Sequence, residues 1–253
     1  MELEQSEIDR FTKPHINRPQ IQGILNFKPR NLDIYRQSLL HKSVLRLIKS
    51  LPSEYQVPKY MMESNERLEY LGDSVISMVT ADYLYRKYPK EEEGFLTRVR
   101  SKLVDTNALS KFALKIGLNK YILMSKHLQS LDKRNKEKML ENAYEAWIGA
   151  IYLDLGIDYA RKFIHDQYEK HVEWDKVVED TNYKDQILRY CQSNNMELPV
   201  YKVVDQEGPP HNRIFTIQLQ ISDKVYSQGK GSQKKIAEQI AAQNTLKLIN
   251  NNM

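Results

Sequence analysis

The sequence contains a single cysteine, Cys191, among its 253 residues. An internal disulfide needs two cysteines and a cysteine-based metal cluster needs more, so both are excluded and a reducing compartment is expected. No stretch reaches the ~18 consecutive apolar residues that a membrane-spanning helix requires. The amino terminus, MELEQSEIDRFTK, is polar and begins acidic, unlike a secretory signal or an Arg-rich mitochondrial presequence. We therefore expect a cytoplasmic or nuclear protein that is not secreted and has no membrane partner.

The composition is typical of a folded protein with a modest excess of positive charge. Hydrophobic residues make up 41% and charged residues 28% of the chain, which argues against disorder. The net charge is +5 and the isoelectric point is about 9.0. This excess favours a polyanionic partner only weakly, because many basic proteins bind no nucleic acid.

Hydrophobic periodicity predicts that the first part of the chain is helical. Residues 1–20 are expected to form a flexible lead-in. From residue 21 to about residue 175, apolar residues recur at helical spacing, for example in IYRQSLLHKSVLRLI and AYEAWIGAIYLDLG. Few stretches alternate between apolar and polar residues, so an all-α domain is predicted over 21–175.

The pattern changes at about residue 182. One helix is predicted first, and three strands follow in which β-branched and aromatic residues alternate with polar ones. The sequence GPPHN is expected to form the turn between the first two strands. A last helix completes a small α-β-β-β-α domain over 182–251, and the charged segment 173–181 is the predicted linker.

Three carboxylates lie at the start of an otherwise apolar helix in the sequence NERLEYLGDSVISMV. Helical residues advance ~100° each, so Glu66, Glu69 and Asp73 share one face. A buried unpaired charge is costly, so this face requires a partner. Any one of these acids alone is more often an N-cap, a surface residue or a salt-bridge partner.

A second apolar segment, ENAYEAWIGAIYLDLG, has the same character. Asn142 and Glu145 share a face, and Gly149 would let another helix approach closely. Two buried helices that both carry polar side chains can satisfy them by facing each other or a cation. Converging oxygens form the hard site that Mg²⁺ and Mn²⁺ prefer, where an ion could activate a water and neutralise a phosphate oxygen.

The segment NERLEYLGDSV resembles the signature of the ribonuclease III family, the double-stranded RNA endonucleases that include Dicer. LLHKS, YPKEEEGFLTRVRSKLV and YEAWIGAIYLDLG resemble its other blocks in the same order, and the resemblance covers roughly 21–175. It implies a homodimer that hydrolyses duplex RNA with a metal-bound water, leaving short 3′ overhangs and 5′ phosphates. Mg²⁺ is the implied cofactor, with Mn²⁺ as a substitute, and no small-molecule cofactor is expected.

The resemblance also implies roles for residues outside the metal site. Glu66 and Glu93 match acids that the family places around the cleavage site and the dimer interface. Lys138 matches a lysine of the Dicer-like branch and could stabilise phosphate charge, although such a lysine is more often simply solvated. The catalytic set implied in this way is Glu66, Glu69, Asp73, Glu93, Lys138 and Glu145.

Asn142 departs from the family pattern, which usually has aspartate at this position. The implied metal ligands are Glu69, Asp73, Asn142 and Glu145, and an amide in this set removes one negative charge. The amide oxygen can still coordinate Mg²⁺ or a bound water, so we expect a weakened but working site. Glu141 would point ~100° away from the Asn142 direction and is predicted to be a poor substitute. The alternative is a protein that binds or sequesters duplex RNA, or serves in a ribonucleoprotein, without cutting.

The element order over 182–251 and the sequence GKGSQKKIA resemble a double-stranded RNA-binding domain. The resemblance implies recognition of duplex shape through two successive minor grooves, with phosphate contacts across the major groove between them. His211 matches a minor-groove contact, and Lys230, Lys234 and Lys235 match phosphate contacts. Double-stranded RNA is therefore the expected partner.

The charges of this segment both support and qualify the resemblance. Residues 182–253 contain nine Lys and Arg against six Asp and Glu. The two adjacent lysines begin a helix, where the helix dipole and free N–H groups also favour phosphate. In the first helix, Asp185, Leu188 and Arg189 stand where the family often has Thr, Gln and Glu, so weaker binding through that helix is expected.

Overall fold

A computed structural model of the chain describes residues 10–52, 54–209, 212–222 and 224–251. These residues form two compact units that divide between Val178 and Glu179. The first unit is helical, and the second has the order helix, three strands, helix, so the predicted fold class is confirmed for both. No helix of the described residues is both long enough and apolar enough to span a membrane.

Two long helices dominate the first unit, and shorter ones surround them. Its α-helices are α1 (Arg18–Leu25), α2 (Leu32–Ser38), α3 (Leu45–Lys49), α4 (Glu66–Lys87), α5 (Glu93–Leu103), α6 (Thr106–Lys115), α7 (Lys126–Ser130), α8 (Glu137–Leu155), α9 (Ile157–His171) and α10 (Trp174–Val178). Short 3₁₀ turns lie at Lys42–Val44, Lys59–Met62, Leu118–Lys120 and Lys133–Asn135.

Helix α8 lies at the centre of the core because its middle is enclosed on all sides. Every residue from Ala143 to Ile151 is buried. Helix α4 packs along α8, and a Cβ atom on Gly149 would come within 2.4 Å of the Leu68 carbonyl oxygen. The prediction that Gly149 lets another helix approach closely is therefore confirmed.

The segment IYRQSLLHKSVLRLI, whose spacing predicts continuous helix, is broken in the structure. Helix α2 ends at Ser38 and α3 begins at Leu45. Between them, the Leu123 amide donates to the Leu39 carbonyl over 2.9 Å, and the His41 amide donates to the Leu123 carbonyl over 3.0 Å. A remote backbone segment thus takes hydrogen bonds that a continuous helix would have made, and local periodicity does not report this.

The folded first unit begins earlier than the predicted boundary at residue 21. Residues 1–9 of the expected lead-in lie outside the described residues. Phe11 and Ile16 are fully buried, so the described part of the lead-in packs on the rest of the unit. Sequence polarity favours a loose segment here, but burial of these two apolar side chains helps to anchor its described part.

The first unit also ends later than the predicted boundary at residue 175. Trp174 stacks on Tyr83 of α4 with ring centroids 5.6 Å apart. Lys102 of α5 donates through Nζ to the Val177 carbonyl over 3.0 Å. The first half of the expected linker is therefore helix α10 and belongs to this unit.

The second unit packs two helices on one face of an antiparallel sheet with the strand order β1-β2-β3. Its elements are α11 (Tyr183–Ser193), β1 (Val200–Glu207), β2 (Ile214–Ile221), β3 (Lys224–Gly231) and α12 (Lys234–Asn251). Its core consists of Ile187, Cys191, Leu219, Ile221, Ala241, Ala242 and Ile249. The strands and helices predicted from alternation and periodicity are confirmed.

Candidate active site and RNA-binding surface

The predicted acids of α4 and α8 lie beside a very close helix crossing. A Cβ atom on Gly72 would come within 1.7 Å of the carbonyl oxygen of Glu145, so the two backbones are in direct contact. Glu69 and Asp73 flank this glycine on α4, and Asn142 lies one turn before Glu145 on α8. The negative charges of Asp73 and Glu69 both help to raise the pKa of Glu145, so the crossing brings the two predicted groups together.

The four residues predicted to hold a metal differ in exposure. Glu145 is only 6% exposed, Glu69 and Asn142 are half-buried, and Asp73 is exposed. Within the described residues, Glu69 Oε2 and Asn142 Oδ1 are buried and have no hydrogen-bond partner. A buried oxygen without a donor is costly, so both oxygens are available to a cation or to a water that a cation holds.

Crowded negative charge shifts the pKa values of the carboxylates at the crossing. The pKa of Glu145 is raised to about 8, first by burial and then by the charges of Glu141 and Asp73. Burial also raises the pKa of Glu69, while the positive charge of Lys138 opposes this rise. A divalent cation would relieve the repulsion and favour the ionised form of each carboxylate.

The carboxylates alone do not complete a ligand set. Over the part of the chain that the structure describes, no group of three His, Cys, Asp or Glu side chains is arranged to hold a metal ion. The amide oxygen of Asn142 is a further hard donor and is unpartnered. Mg²⁺ commonly keeps several waters and takes only one or two carboxylates. The residues therefore fit a partly hydrated ion with Asn142 as a neutral member of the site.

Glu66 and Glu93, the two predicted acids outside the metal set, are both exposed. Glu66 accepts hydrogen bonds from Lys42 Nζ at 2.8 Å and Ser64 Oγ at 3.1 Å. The hydrogen bond from Lys42 is the main reason that the pKa of Glu66 is lowered. Glu93 accepts from Thr97 Oγ1 at 2.7 Å within its own helix, α5. The structure thus gives each of these acids a local partner instead of a place among the buried oxygens.

Glu141 is a residue of this site that the sequence prediction set aside. It is only 8% exposed, its Oε1 accepts from Thr106 Oγ1 at 3.2 Å, and its Oε2 pairs with Lys138 Nζ at 2.9 Å. Its direction on an ideal helix differs by ~100° from that of Asn142. Measured from Glu145, a residue four positions earlier is only ~40° away, whereas one three positions earlier is ~60° away. That spacing was the signal that could have identified Glu141.

In the second unit, close packing at Gly229 brings together the strand and the helix that carry the predicted phosphate-contacting lysines. A Cβ atom on Gly229 would come within 2.3 Å of the Ala237 carbonyl oxygen, so strand β3 lies directly against the start of α12. Lys230, Lys234 and Lys235 are all exposed at this junction. His211, the predicted minor-groove residue, lies outside the described residues.

Two of these lysines, Lys230 and Lys234, each make a weak local contact. Lys230 Nζ lies 3.5 Å from Glu207 Oε1, and both side chains are exposed. Lys234 Nζ lies 5.7 Å from the centroid of the Phe215 ring. Exposed ion pairs contribute little free energy, so these contacts leave the lysines able to bind phosphate.

Helix α11 carries the departures from the family pattern. Arg189 pairs with Asp180 at 2.5 Å and with Asp185 at 3.4 Å. The negative charge of Asp185 is therefore partly neutralised by a side chain one turn later. This arrangement reduces the repulsion that Asp185 would exert on a phosphate near α11.

Comparisons with known proteins match both units. A family model described as ribonuclease-III-like matches residues 31–172, and one for the double-stranded RNA binding motif matches residues 183–249. The chain is 39% identical over 187 residues to ribonuclease 3 of Protochlamydia amoebophila, which covers 74% of this chain and 77% of that protein. It is 33% identical over 243 residues to ribonuclease 3 of Chlorobaculum tepidum, covering 96% and 85%.

Among solved structures, the first unit is similar to the nuclease domain of ribonuclease III from Campylobacter jejuni, in a structure that concerns flexibility in a region involved in dimer formation. The TM-score is 0.51 and the identity 31%, with 61% of this chain and 97% of that one covered. Together with the family models and the relatives, this shows that the chain belongs to the ribonuclease III family of endoribonucleases and carries a double-stranded RNA-binding domain.

Proposed function

We propose that the chain cleaves both strands of duplex RNA as a divalent-metal-dependent homodimer, leaving short 3′ overhangs and 5′ phosphates. The observation that carries this proposal is the pair of buried, unpartnered oxygens, Glu69 Oε2 and Asn142 Oδ1, at the crossing that also buries Glu145. Folds rarely leave such oxygens without a donor unless another species binds there.

In this proposal Glu69, Asp73, Asn142 and Glu145 hold the ion, which is Mg²⁺ or, as a substitute, Mn²⁺. When bound, the ion supplies Lewis acidity and lowers the pKa of a coordinated water. Lys138 pairs with Glu141 at 2.9 Å on a mostly exposed side chain, and in this proposal its ammonium group also contacts a phosphate at the mouth of the site. Glu66 and Glu93 act at the edge of the cleavage site and in the dimer interface.

The homodimer is supported by apolar side chains exposed on α4, the helix that begins within the NERLEYLGDSV segment, and on α8. Tyr70 follows Glu69 directly and is 80% exposed, and Leu153 of α8 is 55% exposed. Both side chains line a shallow hollow together with Ile34, Leu68 and Leu71. Large exposed apolar side chains grouped in this way are typical of an interface. A second copy of the chain would cover them and place two sites on opposite strands of one duplex.

The second unit supplies affinity for duplex RNA in this proposal. Lys230, Lys234 and Lys235 bind phosphates where strand β3 meets the start of α12, a helix N-terminus that itself favours anions. His211 contributes a minor-groove contact. Sequence preference should be slight, because A-form grooves hide the base edges.

A cleavage assay on a long labelled RNA duplex tests the proposed activity. The assay is run with Mg²⁺, with Mn²⁺ and with a chelator, on the unaltered chain and on Glu145→Ala. We expect cutting to short duplexes with either metal and none with chelator or with Glu145→Ala. Cutting that persists in chelator, or in Glu145→Ala, would refute the assignment of the site.

One observation favours an alternative function, in which the chain binds duplex RNA without cutting it. The carboxylates alone do not form a closed ligand group over the described residues, and Asn142 brings no charge. Binding without cleavage under both metals would support this alternative. If Asn142→Asp then restored cutting, the missing charge at this position would be the cause.

A further inference from the structure

The environment of Glu141 is unusual for a charged residue on a helix surface. Its carboxylate is 8% exposed and lies one helical turn before Glu145. Thr106 Oγ1, from the first turn of α6, donates to Glu141 Oε1 over 3.2 Å and holds the side chain in place. Burial of a carboxylate is costly unless its charge is used or compensated.

Lys138 compensates the charge of Glu141 only in part. Its Nζ lies 2.9 Å from Glu141 Oε2, but the lysine side chain is mostly exposed and shares its charge with Glu145 and Glu69. One exposed ammonium group thus lies among three carboxyl groups. When a divalent cation favours the ionised form of all three, one lysine cannot balance their charge.

Asn142 explains why an additional carboxylate would be retained here. It follows Glu141 directly, and its amide contributes an oxygen to the site but no charge. Glu141 lies closer to the direction of Glu145 than Asn142 does, since residues four apart on a helix differ by ~40° and residues three apart by ~60°. A charge at position 141 is therefore well placed to act at the same ion.

We propose that Glu141 supplies to the metal site the negative charge that the Asn142 amide lacks. Glu141 is not itself a ligand but a positioning residue that acts through its charge. Its Oε1 keeps the hydrogen bond from Thr106 and its Oε2 keeps the ion pair with Lys138. This inference rests on the proposed function, because it requires that the site bind a divalent ion.

Binding of Mn²⁺ to the full chain, followed by the electron paramagnetic resonance signal of free Mn²⁺, tests this inference without any cleavage. Glu141→Gln keeps an oxygen for the Thr106 hydroxyl but removes the charge, and we expect roughly tenfold weaker binding. The matched control is Glu137→Gln, which removes an exposed carboxylate one turn earlier on α8 and should leave affinity unchanged. Glu141→Asp keeps the charge and should stay within about threefold of the unaltered chain.

The double variant Glu141→Gln/Asn142→Asp moves the charge by one residue. We expect it to recover most of the affinity lost in Glu141→Gln, and Asn142→Asp should gain more affinity in the Glu141→Gln chain than in the unaltered chain, whereas a purely structural role of Glu141 predicts equal gains. Unchanged affinity in Glu141→Gln, or no recovery in the double variant, would overturn the inference while the metal site stands. If the unaltered chain bound no Mn²⁺, the proposed function itself would fail. Should Glu141→Gln not fold, Asn142→Asp alone decides the question: with Glu141 already supplying the charge it should gain little affinity for Mn²⁺, and a gain of about tenfold would overturn the inference.

Discussion

The backbones of Gly72 and Glu145 are in direct contact. Glu145 is the most buried of the predicted metal ligands, and the helix turn that carries it is also the turn against which α4 packs. The position of the Glu145 carboxylate is therefore tied to the packing of the central helix pair. Packing of this kind fixes a side chain more firmly than a surface loop could. The site and the core of the first unit share the same contact.

Adding one methyl group at this contact should damage both stability and cleavage. Gly72→Ala forces the α4 and α8 backbones apart, and we expect the free energy of unfolding to fall by about 3 kcal/mol. The matched control is Gly23→Ala in α1, where the added methyl group meets nothing within 4 Å beyond the adjacent residues and the backbone of its own helix. That change should raise the free energy of unfolding by up to about 1 kcal/mol. Urea denaturation of both variants measures the difference, and equal midpoints would contradict this account.

Removal of the Tyr70 ring should weaken the proposed homodimer. Tyr70→Ala deletes the most exposed aromatic side chain of the chain's described residues, and we expect the dimer dissociation constant to rise roughly tenfold or more. Leu114→Ala on α6 removes an exposed apolar side chain elsewhere on the first unit and serves as the control. Sedimentation velocity over a concentration series gives both constants. A Tyr70→Ala protein that dimerises like the control would place the interface on another surface.

The lysines at the start of α12 should govern the salt dependence of RNA binding. Lys234→Ala and Lys235→Ala each remove one phosphate contact, so the slope of log K against log salt concentration should become shallower by about one unit per variant. Lys224→Ala provides the control, because Lys224 is exposed at the opposite end of β3 and lies over the Tyr226 ring. Filter binding of a short RNA duplex at several salt concentrations measures the slopes. Equal slopes for all three variants would show that α12 does not bind the backbone.

His15 should make the first unit less stable as the pH falls. Burial, and to a smaller extent the charge of Arg36, lowers the pKa of His15 to about 4. In the unfolded chain His15 binds a proton below pH ~6.5, whereas in the folded chain it stays neutral until about pH 4. Folding stability is therefore lost as the pH falls from about 6.5 to 4. The loss attributable to this residue is up to about 3 kcal/mol.

His15→Gln isolates this contribution because it removes the titrating ring. The difference in unfolding free energy between the unaltered chain and His15→Gln should depend on pH within that window. His127→Gln, at an exposed histidine of α7, should leave the pH dependence as it is. Guanidinium titrations at pH 7.5, 5.5 and 4.5 would measure the three curves, and a constant difference for His15→Gln would contradict the prediction.

Local patterns were sufficient to predict the elements that bury one face. The alternation in RIFTIQLQIS predicts strand β2, and the apolar run around Trp147 predicts the central helix, because burial imposes these periods directly. The break after Ser38 could not be predicted, since its cause is the backbone of Leu123, more than eighty residues away in the sequence.

The prediction of the site was limited by the same distinction between local and remote contacts. Glu69 and Asp73 on α4, and Asn142 and Glu145 on α8, could be grouped from helical spacing because each pair lies within one helix. The burial of Glu141 depends on Thr106 of another helix, which no spacing within α8 reports. The contact of Gly72 with Glu145 likewise becomes visible only when two helices are placed together.

Each of the two units encloses a hydrophobic core of its own, centred on Trp147 in the first and on residues such as Ile187 and Leu219 in the second. Mutations in the second unit that change the affinity for RNA therefore need not disturb the fold of the ribonuclease III-like unit. Natural selection can adjust the two properties independently, and a gene duplication or fusion could exchange one unit without rebuilding the other. The chain is in this sense evolvable by parts.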